Sequence, residues 1–406
     1  MDCGSEDLKI LVVMPAATQR GGAEMALVHL LGELPLEGTE WSIAFLEEGT
    51  MPDTARAAGA ATYVLSAGHL RQIGKYVRTV VGLRRIIHSE RPDLVFSWMP
   101  KGHLYASPAA RLCGVPVLWF QMGFPVLNNR NVLDRVLYAL PADGIISCGS
   151  RGALLQREVT PRVPVQCVNL AVDLKRFDSA SLPSPHAARV QLGLPVSGPI
   201  VGIVARLERW KGVHTLLNAA PTVLQRRSDV TFVVVGGPHP FDLGYADQLA
   251  AEVNRLNLES KFLMVGAQTN VPLWMQAMDI FVHASDAEPF GIVIVEAMGL
   301  GKPVIAGSVG GPTDIITERV NGLLVDFEDH DGLASRILEV LDDQNLRQAL
   351  AQGALTRAQD FSTAIFARKL TETLRELTCL SETADALNEQ GSHGSAERAL
   401  PGQERM

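Results

Sequence analysis

Short runs of consecutive apolar residues, each followed by a segment of helix length, recur through this chain, and no other feature restricts its fold as much. The runs at 9–14, 41–46, 61–65, 94–98, 115–120, 144–148 and 165–168 do not alternate apolar with polar, so they read as strands covered on both faces. Such strands lie in parallel sheets, with the intervening helices packed on either side. The alternation stops at 178–199, a stretch rich in Ser, Pro and Gly that reads as a linker. It restarts with strands at 200–204, 230–235, 262–265, 280–283 and 303–306, and with helices at 213–225 and 247–257. The expected fold class is therefore α/β, with two doubly wound, Rossmann-like domains at 1–180 and 181–360 and a cleft implied between them. Residues 361–378 place Ile365, Phe366, Leu370, Leu374 and Leu377 at helical spacing. Residues 379–406 are polar and poor in large apolar side chains, and are expected to form a disordered tail.

Composition narrows the class of partner. The 406 residues are 47% apolar and 20% charged, which suits a globular chain and not a disordered one. The one 18-residue stretch free of charge, 112–129, is broken by Gly114, Pro116, Gln121, Gly123, Pro125, Asn128 and Asn129, so none reads as a membrane span. The acidic start at 1–7 lacks the pattern of a secretion signal. Five scattered cysteines contain no C-x-x-C pair, so neither a disulfide framework nor a zinc site is expected, and the expected compartment is the cytoplasm. Residues 1–197 carry 19 Lys and Arg against 17 Asp and Glu, whereas the rest carries 17 against 27. A net charge of −8 argues against nucleic acid as a partner.

Three stretches carry chemistry. Gly21 and Gly22 lie between a strand and a helix, where exposed N–H groups and the helix dipole favour an anion; a tight turn would use the same glycines. Arg206 and Lys211 follow the first strand of the second domain, at the edge where such sheets bind ligands, and could converge on a phosphate. Glu288 and Glu296, with Phe290, Gly291 and Ile292 between them, form the strongest signal. A carboxylate in an apolar helix start is costly to bury without a partner, and the vicinal hydroxyls of a sugar are suitable partners.

The Glu288-x7-Glu296 spacing with Phe290-Gly291 inside it resembles the E-x7-E motif of retaining GT-B glycosyltransferases, in particular family 4 (group 1). The Arg206…Lys211-Gly212 stretch and the Gly21-Gly22-Ala23-Glu24 loop are similar to that family's other two markers, in the same order, across roughly residues 8–378. The resemblance implies a GT-B fold and a UDP-, GDP- or ADP-sugar donor, with no cofactor and no metal. It implies that Arg206 and Lys211 bind the leaving diphosphate, that Glu288 holds the donor sugar, and that Glu296 holds the ribose. Backbone N–H groups of Gly22, Gly291 and Ile292 would meet the donor, and the loop Val265, Gly266, Ala267, Gln268 and Thr269 would cradle its base. The final helix would pack back on the first domain. Relatives carry a His after the strand at 115–120, where this chain has Gln121 and Met122; His103 is the candidate substitute. Asp314 stands where Glu is usual. Two other readings share the fold: a nucleotide-sugar epimerase or hydrolase, and a non-catalytic nucleotide-sugar-binding protein.

The acceptor side is marked by one basic stretch. Arg71, Lys75, Arg78, Arg84, Arg85 and Arg91 are interleaved with Tyr76, Val77, Val80, Val81, Leu83, Ile86 and Ile87, against one acid, Glu90. A helix there could lie on an anionic membrane, which would suit a lipid-linked acceptor and a place on the inner face of the membrane; a packed helix with a solvated basic face has the same pattern.

Overall fold

The computed structural model describes residues 7–19, 21–125, 132–239 and 242–394, with side chains as far as 380. The acidic start at 1–6, Arg20 of the first motif and residues 395–406 of the expected tail lie outside the described residues.

The chain forms two compact units. The first holds the described residues up to Cys148, Ala153–Val168, and those from Ala367 on. Its seven strands are β1 (Leu8–Met14), β2 (Thr39–Phe45), β3 (Ala61–Val64), β4 (Leu94–Trp98), β5 (Val117–Gln121), β6 (Gly144–Ser147) and β7 (Val165–Cys167). They pair in the order β3-β2-β1-β4-β5-β6-β7, all parallel. All five residues of β4 and the last five of β1 are buried, which is why these runs are apolar without alternation. One face carries the helices Ile73–Glu90 and Met99–Arg111, whose Val80, Leu83, Tyr105 and Ala109 join Val13 and Val95 of the sheet in one core.

The second unit holds Gly149–Gly152 and Asn169–Phe366. Its strands are β8 (Ile200–Val204), β9 (Thr231–Val235), β10 (Phe262–Met264), β11 (Ile280–His283), β12 (Val304–Gly307) and β13 (Leu323–Val325). They are again all parallel, in the order β10-β9-β8-β11-β12-β13. Both units are therefore parallel-sheet, Rossmann-like α/β folds, as the alternation of apolar runs requires.

Three elements depart from the sequence expectation. Residues 178–199 are not a plain linker: they contain the helix Pro185–Leu192. Ser184 caps it by accepting from the Ala187 N–H, Pro185 occupies its first turn, and Gly193 ends it in the left-handed region. The Ser and Pro that suggested a linker are helix-start signals. Arg189 then ties this helix to the unit, donating to Ala277 O at 2.9 Å, Gly198 O at 3.1 Å and Asp279 at 2.6 Å. Strand β13, Leu323–Val325, is a further three-residue strand beyond those expected from the sequence. The last helix runs Thr363–Gly394 and so continues past 378 into the expected tail, where Ala, Leu, Glu and Gln between 382 and 390 are good helix formers. Among the described residues, no helix is long and apolar enough to cross a membrane.

Candidate functional site

In the second unit the strand order reverses between β8 and β11, and the loops leaving their C-terminal ends meet at that point. Both strong motifs lie on these two loops. After β8 the chain makes a single 3-10 turn, Arg209–Lys211, and enters the helix Val213–Arg226 through Gly212. Gly212 has φ +72, and a Cβ there would lie 1.8 Å from the Ala284 carbonyl oxygen just past β11. Only glycine lets the two loops come this close.

That approach sets Lys211 against Glu288, with Nζ donating to Oε2 at 2.5 Å. The same oxygen accepts from Nε2 of His283 at 2.9 Å; His283 is the last residue of β11 and is fully buried. Burial would raise the Glu288 carboxyl, but the Lys211 charge and the His283 and Lys211 hydrogen bonds outweigh it and hold the group down at about 2. Burial also pushes His283 below its usual range. Glu288 is thus a clamped carboxylate, and its backbone is fixed as well: its carbonyl accepts from Gly311 N–H at 2.7 Å. The Lys211 ammonium lies 3.8 Å from the centre of the Trp210 ring.

Glu296 is the opposite case. It sits in the helix Ile292–Gly299, which Gly291 opens with φ +98 and which has no side-chain cap. Glu296 is half-buried and no hydrogen bond to its side chain is made among the described residues. Burial raises its carboxyl to about 7, with Arg176 pulling weakly the other way. Arg206 is exposed at the end of β8 and has its own partners, Glu208 at 3.0 Å and Nε2 of His239 at 3.1 Å. The structure therefore brings Lys211 and Glu288 together and gives Arg206 a different acid.

The other expected residues divide. Gly266 and Ala267 are exposed just past β10, and the Gln268 side-chain amide folds back to Val265 O at 2.7 Å. Phe290 is 2% exposed and packs edge-on against Phe361, so its ring belongs to the core and does not face a ligand. Asp314 accepts from the Ser150 N–H at 2.7 Å, at the start of the helix Ser150–Val159. In the first unit, Gly21 and Gly22 are exposed at the start of the helix Gly22–Leu31. Gln121 ends β5 and is buried. His103 cannot replace the missing His. It is wholly buried, bonded through Nδ1 to Ser97 at 2.9 Å and stacked 4.9 Å from Trp119. Burial lowers its pKa to about 3, so it is a neutral core residue.

Sequence reasoning missed His283, Glu208, Trp210 and His239. A signal existed for His283, a polar residue ending the apolar run Ile280-Phe281-Val282 at the ligand edge of a strand. Among the described residues, no three His, Cys, Asp or Glu side chains cluster to hold a metal ion.

Residues 186–357 match the family described as Glycosyl transferases group 1. A D-inositol 3-phosphate glycosyltransferase of Corynebacterium urealyticum is 32% identical over 237 residues, 57% of this chain and 55% of that protein. A lipopolysaccharide core biosynthesis mannosyltransferase, LpsB of Rhizobium meliloti, is 30% identical over 49% of this chain and 57% of its own length. The chain spans about half the length of the curated relatives it matches. Among solved structures, Anabaena Alr3699/HepE in complex with UDP and glucose covers 91% of this chain and 99% of its own, with TM-score 0.78 and 24% identity. Sucrose-phosphate synthase from Thermosynechococcus elongatus covers 92% and 99%, with TM-score 0.72 and 21% identity. The folds of both units are those of solved GT-B glycosyltransferases, and the segment 186–357, which holds both cations and both glutamates, is the part that matches the group 1 glycosyl transferases.

Proposed function

We propose that the protein is a retaining, metal-independent glycosyltransferase that moves a hexose-type sugar from a nucleotide-diphosphate sugar to a glycan or lipid-linked acceptor. One observation carries the reading: two carboxylates eight positions apart are held in opposite states at one strand-order reversal. Glu288 is ionised and clamped by Lys211 and His283; Glu296 is half-buried with no protein donor among the described residues. A clamped carboxylate suits a sugar hydroxyl, and an unsatisfied one suits the hydroxyls of a ribose.

In this reading the glycosidic bond to the diphosphate breaks toward an oxocarbenium-like state, and the electron pair leaves with the phosphate oxygen. Lys211 and Arg206 stabilise that growing charge, together with the uncapped N–H groups at the start of the helix Ile292–Gly299. A phosphate oxygen takes the acceptor's proton, so retention needs no protein nucleophile. These two cations do the neutralising that the reading would otherwise ask of a metal. Val265, Gly266 and Ala267 receive the base; the assignment of Gly21 and Gly22 to the donor rests on the resemblance alone. The match of 186–357 is to transferases, which disfavours the epimerase and hydrolase readings.

The test is transfer from UDP-, GDP- and ADP-sugars in EDTA, wild type beside Lys211→Ala. Acceptors are a membrane lipid extract and, following the name shared by several relatives, D-inositol 3-phosphate. Sugar moved to either acceptor, and lost in the variant, supports the transferase; sugar in lipid also supports the lipid-linked acceptor. Nucleotide release without transfer points to a hydrolase. Activity that disappears in EDTA and returns with Mn²⁺ or Mg²⁺ overturns metal independence.

A further inference from the structure

We propose that His283 is a positioning residue: it commits one oxygen of Glu288 to the protein and leaves the other for a hydroxyl of the donor sugar. The inference rests on the reading of Glu288 given above and goes beyond it by naming what sets that carboxylate's orientation.

The argument starts from the two oxygens. Oε2 accepts both Lys211 Nζ at 2.5 Å and His283 Nε2 at 2.9 Å. Oε1 has no protein donor among the described residues and is not one of the polar atoms sealed from solvent without a partner. The two donors come from different elements, the turn after β8 and the end of β11. Lysine alone would not choose between the oxygens. Its ammonium is a flexible point charge, and a half-turn of the carboxylate would present either oxygen to it. The imidazole N–H is directional and cannot follow such a turn, because the ring is wholly buried. His283 therefore converts an ion pair into a fixed rotamer.

The histidine's own state is decided by its other nitrogen. Nδ1 is buried and has no hydrogen-bond partner among the described residues. A proton there would be a sealed donor with no acceptor, whereas a bare Nδ1 lone pair is tolerated. His283 thus stays neutral with its single proton on Nε2, the nitrogen that faces Glu288. The ring adds no charge to the diphosphate side; it contributes direction only.

Two measurements test this. The first needs no ligand: ¹⁵N correlation spectra of the His283 ring in the wild-type protein. The expected pattern is the Nε2–H tautomer, unchanged from pH 5.5 to 8.5; an Nδ1–H tautomer, or titration within that range, overturns the proposal. The second compares binding of UDP-, GDP- and ADP-glucose with binding of the matching free diphosphates. In His283→Leu the advantage conferred by the sugar should fall about ten-fold, with diphosphate affinity changed less than about two-fold. His283→Gln, whose amide nitrogen can stand in for Nε2, should recover most of it. The effect should vanish when His283→Leu is made in a Glu288→Gln background, since the two act as one unit. Equal weakening of diphosphate and sugar nucleotide, or full additivity with Glu288→Gln, would mean that His283 only fills space. Failure of the wild type to bind any of these nucleotides overturns the donor-site reading itself, and the tautomer measurement still decides the hydrogen bond.

Discussion

Lys211 and Glu288 are each costly to bury alone, and their pairing decides what a substitution does. Lys211→Ala removes the cation nearest the clamped carboxylate and, as the charge-stabilising group of the proposed reaction, should lower turnover about 10²–10³-fold. It also leaves the Glu288 carboxylate with His283 as its one donor among the described residues, so the melting temperature should fall. Adding Glu288→Gln should restore part of that stability and none of the turnover. A double variant as unstable as the single one would contradict the pairing argument. Glu296 makes a pH prediction of the opposite kind. Its carboxyl is raised from 4.5 to about 7, so between those values the folded protein holds a proton that the unfolded chain has lost. Stability should therefore be full below about 4.5 and fall as pH rises through 7, by at most about 3 kcal/mol. Denaturant melts of Glu296→Gln should match the wild type near pH 4.5 and exceed it at pH 8. Donor affinity should run the other way, rising with pH as the carboxylate forms, and that rise should be missing in the variant.

At the scale of elements, close approach and exposed faces carry the consequences. Gly212→Ala would need an unfavourable φ and a Cβ 1.8 Å from the Ala284 oxygen, so the turn holding Lys211 has to move. A loss of roughly 3 kcal/mol and most of the activity is expected, measured by denaturant melts and by transfer assays. Gly244→Ala, in the first turn of the helix Leu243–Arg255, where an added Cβ would meet Gln248 Nε2 at 4.0 Å in ordinary contact, should instead stabilise by up to about 1 kcal/mol. The helix Ile73–Glu90 buries Val80, Leu83, Ile86 and Ile87, yet leaves Ile73, Val77 and Val81 exposed at a spacing of four. Arg78, Arg84 and Arg85 are exposed on the same helix. Arg71, Lys75, Arg78, Arg84, Arg85 and Arg91 were legible as a basic stretch, but which apolar positions remain uncovered was not, because the period alone does not say how wide a neighbour's footprint is. If this helix meets an anionic membrane, vesicles containing phosphatidylserine should pull the protein down at low salt, and Arg78→Glu with Arg85→Glu should abolish that. No flotation or pelleting at low salt would remove the membrane reading.

For the whole molecule, most strands of both sheets could be read from the chain, since a strand buried on both faces must be apolar throughout and a parallel crossover must be long. One departure has a physical cause: the Ser-Pro start of the helix Pro185–Leu192 uses residues that also build linkers. Lys211 and Glu288 stood out in the sequence and are brought together in the fold, whereas Arg206, expected to converge with Lys211, pairs with Glu208. The site was illegible wherever function depends on which side of a sheet or helix a residue faces. His103 looked available and is sealed against Trp119, Phe290 looked like a ligand contact and packs on Phe361, and His283 drew no notice although it holds Glu288. The sequence by itself determined the two parallel α/β units and the residue types of the site, because apolar periodicity and local spacing are properties of neighbouring residues. Only the tertiary structure decided the charge states. Glu288 is held down chiefly by Lys211, 77 positions away, and Glu296 is pushed up by burial, and neither that approach nor burial is written along the chain.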